Sequence, residues 1–305
     1  MKKEILVIAL SLMTLGLILI TSSVTKAQNV QSVSEFTVPL SDPAKRGKLK
    51  ANINSGSVTV KGTARKDILV KYKSREDNED CEDCDDDDRK HFNKDKNKNK
   101  NGKEDKEDKE SKSKEGLKKI GGSGMDLEAL EDNNIIKLKS KSWNNKVDLE
   151  IEVPAGTDLE VSTYNDGDLM VTNIQGEIEL TNYNGEITAL NISGSVVATT
   201  YNGEIKVTFD KVTDGAPMSY STYNGDVDIT FPSTLKATLK MKTEQGEIYT
   251  GFDMKLTSTG PVQKKDTSTG VYRVIVDDWK RGDVNGGGPE ITVKNYNGDI
   301  YIRKK

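Results

Sequence analysis

Beyond residue 157 the chain alternates apolar and polar residues in short runs that are opened by glycines. Glycines 167, 176, 185, 194 and 203 stand nine residues apart, and four of these five are followed by an acid and then an aliphatic residue. This is an internal repeat. With a turn glycine as position zero, position two is Leu169, Ile178, Ile187, Val196, Ile205, Val227, Ile248 and Ile300. Position four is Val171, Leu180, Val207, Ile229 and Ile302, with Ala189 and Ala198 as smaller fillers. Strand side chains alternate between two faces, so positions two and four point inward and position one points out. Glu177, Glu186, Glu204, Asp226 and Asp299 are therefore expected to face water beside the turn. Asn184, Asn202, Asn224 and Asn297 precede their glycines, as suits a corner that needs positive φ.

Tyr-Asn arcs (Tyr183-Asn184, Tyr201-Asn202) alternate with isoleucine arcs (Ile174-Gln175, Ile192-Ser193), which makes the true unit eighteen residues. Asn-Gly between alternating strands also suits an antiparallel meander. The alternation of arcs favours an all-β, single-domain parallel β-helix, or β-solenoid, of about 18 residues per coil in its central part, with Tyr183 over Tyr201. One unit cannot bury its apolar face alone, so neighbours must stack. The corner asparagines are then expected to form an amide ladder. Tyr164-Asn165-Asp166-Gly167 carries an extra residue, which predicts a bulge. Spacings of 22 and 21 residues around Gly225 and Gly246 predict loops. The closing Arg303-Lys304-Lys305 is expected to guard an exposed sheet edge at the end of the stack.

Upstream, residues 36–73 alternate through Leu49-Lys50-Ala51-Asn52-Ile53, Gly56-Ser57-Val58-Thr59-Val60 and Ile68-Leu69-Val70-Lys71-Tyr72, which reads as short strands. Residues 75–123 differ in kind. Ten of the thirteen residues from Glu76 to Asp88 are acidic, and from Arg89 to Gly116 eleven cations face seven acids. Such a blocky polyampholyte cannot offset its chain entropy by apolar burial and is expected to be a disordered insertion. Lys2-Lys3, the apolar run Ile5–Ile20 and the end Thr25-Lys26-Ala27 predict a signal peptide over 1–27; the alternative is an uncleaved anchor. The expected organisation is a leader at 1–27, solenoid strands at 28–74, the insertion at 75–123 and solenoid repeats at 124–305.

The chain has 305 residues, 33% hydrophobic, 6% aromatic and 31% charged, so one wide globular core is not expected. A formal net charge of -4 gives no reason to expect a nucleic-acid partner. Cys81 and Cys84 are the two cysteines. Carboxylates crowd them, which opposes thiolate chemistry, and a local disulfide or free thiols are expected. His91 is the sole histidine and lies in the charged insertion, so a serine or cysteine triad is not expected. Calcium-binding nonapeptide rolls need paired glycines with an aspartate two residues on, where this repeat has an aliphatic. No metal, cofactor or catalytic residue is expected.

Val153-Pro154-Ala155-Gly156-Thr157, the repeated Tyr-Asn-Gly-Glu/Asp-Ile, and Gly286-Gly287-Gly288-Pro289-Glu290-Ile291 followed by Asn295-Tyr296-Asn297-Gly298-Asp299-Ile300-Tyr301-Ile302 resemble the bacterial putative-adhesin β-helix family, a domain of unknown function. The resemblance covers most of the chain after residue 124 and the strands at 36–73. It implies a parallel β-helix exported to the cell envelope. The charged insertion lies outside the family pattern.

The function expected is a non-catalytic exported envelope protein, an adhesive or structural surface in the periplasm, on the outer cell surface or secreted. Its partners would be envelope polysaccharide or another envelope protein, with no membrane span after leader cleavage. Tyr164, Tyr183, Tyr201, Tyr223 and Tyr296 are a candidate ligand stripe, although interior packing beside the corner is the expectation for such a ladder. The alternative is a carbohydrate-active enzyme, lyase or glycosidase in type, at Arg273, Asp277 and Asp278, because acids beside a basic residue suit acid–base cleavage.

Overall fold

A computed structural model describes residues 33–75, 127–140, 146–213, 215–258, 262–266, 271–275 and 279–305. The expected leader, Cys81, Cys84, His91 and nearly all of the expected insertion lie outside them. The described residues form strands and turns without helix, in an all-β fold whose long sheet wraps as a solenoid.

Near the start lie β1 (Ser34–Pro39), β2 (Lys48–Ser55), β3 (Val58–Thr63), β4 (Asp67–Arg75), β5 (Leu127–Asp132), β6 (Ile135–Ser140) and β7 (Lys146–Pro154). The repeat supplies β8 (Asp158–Asn165), β9 (Leu169–Thr172), β10 (Glu177–Asn182), β11 (Ile187–Thr199), β12 (Ile205–Val212), β13 (Met218–Asn224) and β14 (Val227–Phe231). Then follow β15 (Ala237–Gln245), β16 (Ile248–Thr250), β17 (Thr257–Ser258), β18 (Val262–Asp266), β19 (Val271–Ile275), β20 (Lys280–Val284), β21 (Glu290–Asn297) and β22 (Ile300–Lys304). Twenty strands join one sheet, and β18 and β19 pair with each other.

Burial follows the period of two that the sequence carries. Strand β10 buries Ile178, Leu180 and Asn182, and β14 buries Val227, Ile229 and Phe231. These aliphatics meet in one core. Ile178, Ile187 and Ile205 all point inward, as expected.

The sheet runs as two ladders joined through β11. One ladder proceeds β7, β3, β9, the first half of β11, β12, β14, β22, β16, each parallel to the next. The other proceeds β6, β2, β8, β10, the second half of β11, β13, β21, β15, again parallel throughout. Within this twenty-stranded sheet, antiparallel pairing is confined to the ends. At one end β4 pairs with β7, β1 with β4, and β5 with β6; at the other β20 pairs with β15 and β17 with β20.

Register shows where the repeat is regular. Leu169 pairs with Ile187 and Ile187 with Ile205, steps of eighteen residues. Leu159 pairs with Ile178, one residue further, and the extra residue is Asp166, whose φ of 58° turns the corner. The predicted bulge is thus a single left-handed residue.

The layers do not follow chain order. Strands β21 and β22 slot between the β13/β14 layer and the β15/β16 layer, and β2 and β3 slot between β6/β7 and β8/β9. Arg303-Lys304-Lys305 therefore does not close the stack, contrary to expectation: β22 is flanked on both sides, and the edge falls to the three-residue β16. A very short edge strand offers little backbone to an incoming chain.

Candidate functional site

Each residue of the corner motif has its own task. In Thr200-Tyr201-Asn202-Gly203-Glu204-Ile205, Ile205 enters the core and Gly203 lets two layers meet. A Cβ on Gly203 would lie 2.0 Å from the carbonyl oxygen of Gly185, and the glycine's φ is 155°. Close approach, with positive φ, makes the glycine necessary.

That approach buries a carbonyl, which the residue three places before the next glycine satisfies. Thr200 Oγ1 donates to the carbonyl of Gly185 at 3.1 Å, Thr222 to Gly203 at 3.0 Å, and Thr243 to Gly298 at 2.9 Å. Asn182 and Asn295 do the same through Nδ2, to Gly167 at 3.0 Å and Gly225 at 2.8 Å. At these five layers the buried glycine carbonyl is paired in this way.

The asparagine before each glycine forms the expected amide ladder. Asn184 Nδ2 donates to Asn165 Oδ1 at 3.1 Å, Asn202 to Asn184 at 2.8 Å, Asn224 to Asn202 at 2.7 Å, and Asn297 to Asn224 at 3.3 Å. These asparagines are absent from the positive-φ residues, so they serve the ladder rather than the turn angle. Left-handed asparagines occur instead at the opposite corner, at Asn173 and Asn191, where Asn191 Nδ2 donates to Asn173 Oδ1 at 3.0 Å.

The acids after the glycines are more than a solvated row. Asp168 Oδ1 accepts the amide of Glu186 at 2.8 Å, Asp226 Oδ1 that of Asp299 at 2.8 Å, and Asp299 Oδ1 that of Glu247 at 2.8 Å. Where glutamates succeed each other the charges accumulate. Partial burial, then the neighbouring Glu186 charge, raises the Glu204 carboxyl above its ordinary value, against the opposing pull of Lys206.

The five tyrosines come together as one column on the outside. Ring centroids are 6.1 Å apart for Tyr164–Tyr183, 5.1 Å for Tyr183–Tyr201, 4.8 Å for Tyr201–Tyr223 and 4.5 Å for Tyr223–Tyr296. They remain 39 to 49% exposed, which corrects the expectation of interior packing. The reason is register: tyrosine sits one residue from the buried threonine or asparagine, so alternation turns it outward. Desolvation and the neighbouring phenols raise the Tyr223 phenol above its usual range.

A second aromatic pair was not singled out from the sequence. Tyr249 and Tyr301 stack at 5.1 Å with Arg303 over the Tyr301 ring. The Tyr301 hydroxyl donates to Asp299 Oδ2 at 2.9 Å, which, with desolvation and nearby acids, pushes its pKa to about 12. Both tyrosines occupy position three after a repeat glycine, a signal that was available.

Arg273 lies on β19, paired antiparallel with β18. Asp277 and Asp278 lie outside the described residues. Among the described residues, His, Cys, Asp and Glu form no group of three or more suited to a metal ion. No helix among them is long and apolar enough to cross a membrane.

The family model described as Toastrack DUF4097 matches residues 48–285. The chain belongs to that family. It is similar to a putative cell adhesion protein from Clostridium sporogenes, at 11% identity and TM-score 0.40, over 90% of this chain and 100% of that one. It is also similar to a putative adhesin from Bacteroides fragilis, at 8% identity and TM-score 0.34, over 90% and 98% of the two chains. No curated protein matches the chain.

Proposed function

We propose that this Toastrack chain is a non-catalytic exported cell-envelope protein, an adhesive or structural surface whose contact stripe is the tyrosine corner. In this reading residues 28–74 and 124–305 build one parallel β-helix, with eighteen-residue coils at its centre, behind a cleaved leader and around the charged insertion 75–123. The observation that supports it is the exposed column Tyr164, Tyr183, Tyr201, Tyr223 and Tyr296.

The column's geometry constrains the partner. Stacked rings cover each other's faces, so the stripe offers ring edges and hydroxyls, whereas sugar or base platforms use open faces. A row of phenols suits an extended chain lying along the axis and hydrogen-bonding at each layer, either an envelope polysaccharide or a segment of another envelope protein. The acid row beside it disfavours nucleic acid.

Capture of envelope polysaccharide and envelope protein fractions by the mature chain tests this. A Tyr183→Ser, Tyr201→Ser, Tyr223→Ser variant with an unchanged strand spectrum should lose about tenfold or more in affinity. Retention of full binding by that folded variant would refute the stripe. Polysaccharide cleavage lost on Asp277→Ala would replace this reading with the enzymatic one.

A further inference from the structure

An asparagine followed by glycine cyclises readily, because glycine has no side chain to hinder its own backbone nitrogen as it attacks the asparagine Cγ. Five such pairs lie among the described residues, at Asn184, Asn202, Asn224, Asn285 and Asn297. In four of them the nucleophile is locked. Gly185 N–H donates to the Asn202 carbonyl at 2.8 Å, Gly203 to Asn224 at 2.8 Å, Gly225 to Asn297 at 3.0 Å and Gly298 to Gln245 at 3.0 Å. Their asparagines are fixed as well, each donating Nδ2 to the asparagine of a neighbouring layer. Cyclisation at these corners must first break one interlayer bond at the nitrogen and another at the carboxamide.

Asn285-Gly286 is built differently. It is the centre of the turn Val284-Asn285-Gly286-Gly287, closed by Gly287 N–H on the Val284 carbonyl at 3.1 Å, with φ 51° at Asn285 and 92° at Gly286. Both residues are exposed, and a Cβ on Gly286 would meet open space. The Gly286 N–H donates no hydrogen bond among the described residues. The carboxamide has one task. Asn285 Nδ2 donates to the carbonyls of Ser233 at 3.1 Å and Leu235 at 2.7 Å, which ties the turn after β20 to the loop between β14 and β15. Opening of that single loop frees this carboxamide, whereas at the other four pairs whole layers must part.

We infer that Asn285 is a site of spontaneous deamidation, with water as the reactant, and that the reaction releases the loop at 232–236. The Gly286 amide nitrogen gives its proton to solvent hydroxide and bonds to Asn285 Cγ; the Cγ–Nδ2 bond breaks, ammonia leaves, and a succinimide remains. Water adds to either ring carbonyl and opens the ring to aspartate or isoaspartate. Asparagine and water thus become a carboxylate and ammonia, with no change of oxidation state. The new carboxylate only accepts hydrogen bonds, so the Ser233 and Leu235 carbonyls lose their donor and face a negative charge.

Peptide mapping by mass spectrometry on the full chain, aged at mildly alkaline pH, tests this. Asn285 should convert about tenfold or more faster than Asn184, Asn202, Asn224 and Asn297. In strong denaturant the five should convert at comparable rates, since glycine follows each. Asn285→Asp, the product made directly, should raise exchange of the Leu235 amide, which donates to Pro232, about tenfold. The Ile205 amide, bonded to Asp226 in the ladder, should exchange as before. Equal conversion of the five in the folded chain, the same preference for Asn285 in denaturant, or unaltered Leu235 exchange in Asn285→Asp would each overturn it.

Discussion

Asn202 donates its side-chain amide to the Asn184 carbonyl oxygen at 2.8 Å and accepts the same bond from Asn224 at 2.7 Å. One side chain thus ties three layers together. Asn202→Ala leaves an acceptor on one side and a donor on the other without their partners. A part-buried pair of this kind is worth about 1 to 2 kcal/mol. The urea midpoint should fall accordingly at unchanged slope, and an unaltered midpoint would show that the ladder contributes nothing.

Two glycines separate close approach from turn angle. At Gly203 an added Cβ would lie 2.0 Å from the backbone of the next layer, whereas at Gly215, with φ 81°, it would meet open space. Gly215→Ala should cost about 1 to 2 kcal/mol, the left-handed penalty alone. Gly203→Ala must in addition move two layers apart and should cost more than about 4 kcal/mol, the range of the largest single-site effects. Melting temperatures of the two variants decide it, and equal losses would mean that angle, not contact, selects glycine.

Asn182 stands where Thr200 and Thr222 stand in later layers. Its Nδ2 reaches the Gly167 carbonyl, but its Oδ1 is buried without a hydrogen-bond partner. Threonine would keep the donor and remove the orphan acceptor, so Asn182→Thr should stabilise the chain by about 1 kcal/mol. A lower melting temperature would count against this view of the corner.

Much of this corner was legible in the sequence because strand alternation is local. The inward course of Ile178, Ile187 and Ile205, the extra residue near Asp166 and the asparagine ladder all follow from period and spacing. Layer order is a different matter. The corner at Asn295-Tyr296-Asn297-Gly298 resembles the one at Tyr223-Asn224-Gly225 so closely that nothing local says which layers it joins, and β21 enters between β13 and β15. Tyrosine exposure was misjudged because aromatic residues usually bury; the buried threonine or asparagine before each one carried the contrary signal.

Opposed shifts predict opposed pH responses. Burial, then the Glu186 charge, raises the Glu204 carboxyl above its ordinary value. Its ionised form therefore penalises the fold, a penalty absent below the ordinary glutamate range and complete above the raised folded value. Glu204→Gln should stabilise the chain at neutral pH and lose that advantage in acid. At Asp148 burial pushes the carboxyl up, but hydrogen bonds from Arg75 and the Ser57 amide outweigh it, and the net shift is downward. Its stabilisation is present above the ordinary aspartate range and disappears as pH falls through the lowered value, so Asp148→Asn should be destabilising at neutral pH and near neutral in effect in strong acid. Stability curves from pH 3 to 8 that slope alike for both variants would contradict these environments.

Interleaved layers make the C-terminal strand pair a wedge rather than an appendage. Strand β21 hydrogen-bonds β13 on one side and β15 on the other, and β22 does so with β14 and β16. Removing residues 286–305 would leave β13, β14, β15 and β16 each with an unpaired edge and expose Tyr220, Ile229 and Met241, all fully buried in the intact chain. An end repeat of a solenoid built in chain order can be trimmed with the loss of one interface; here two interfaces vanish and the β15/β16 layer loses its parallel neighbours in both ladders. The truncated chain should show amide exchange protection retained across β8 to β12 and lost throughout β15, β16 and β20. Protection persisting in β15 would mean that this layer is held by β20 alone and that the wedge is dispensable.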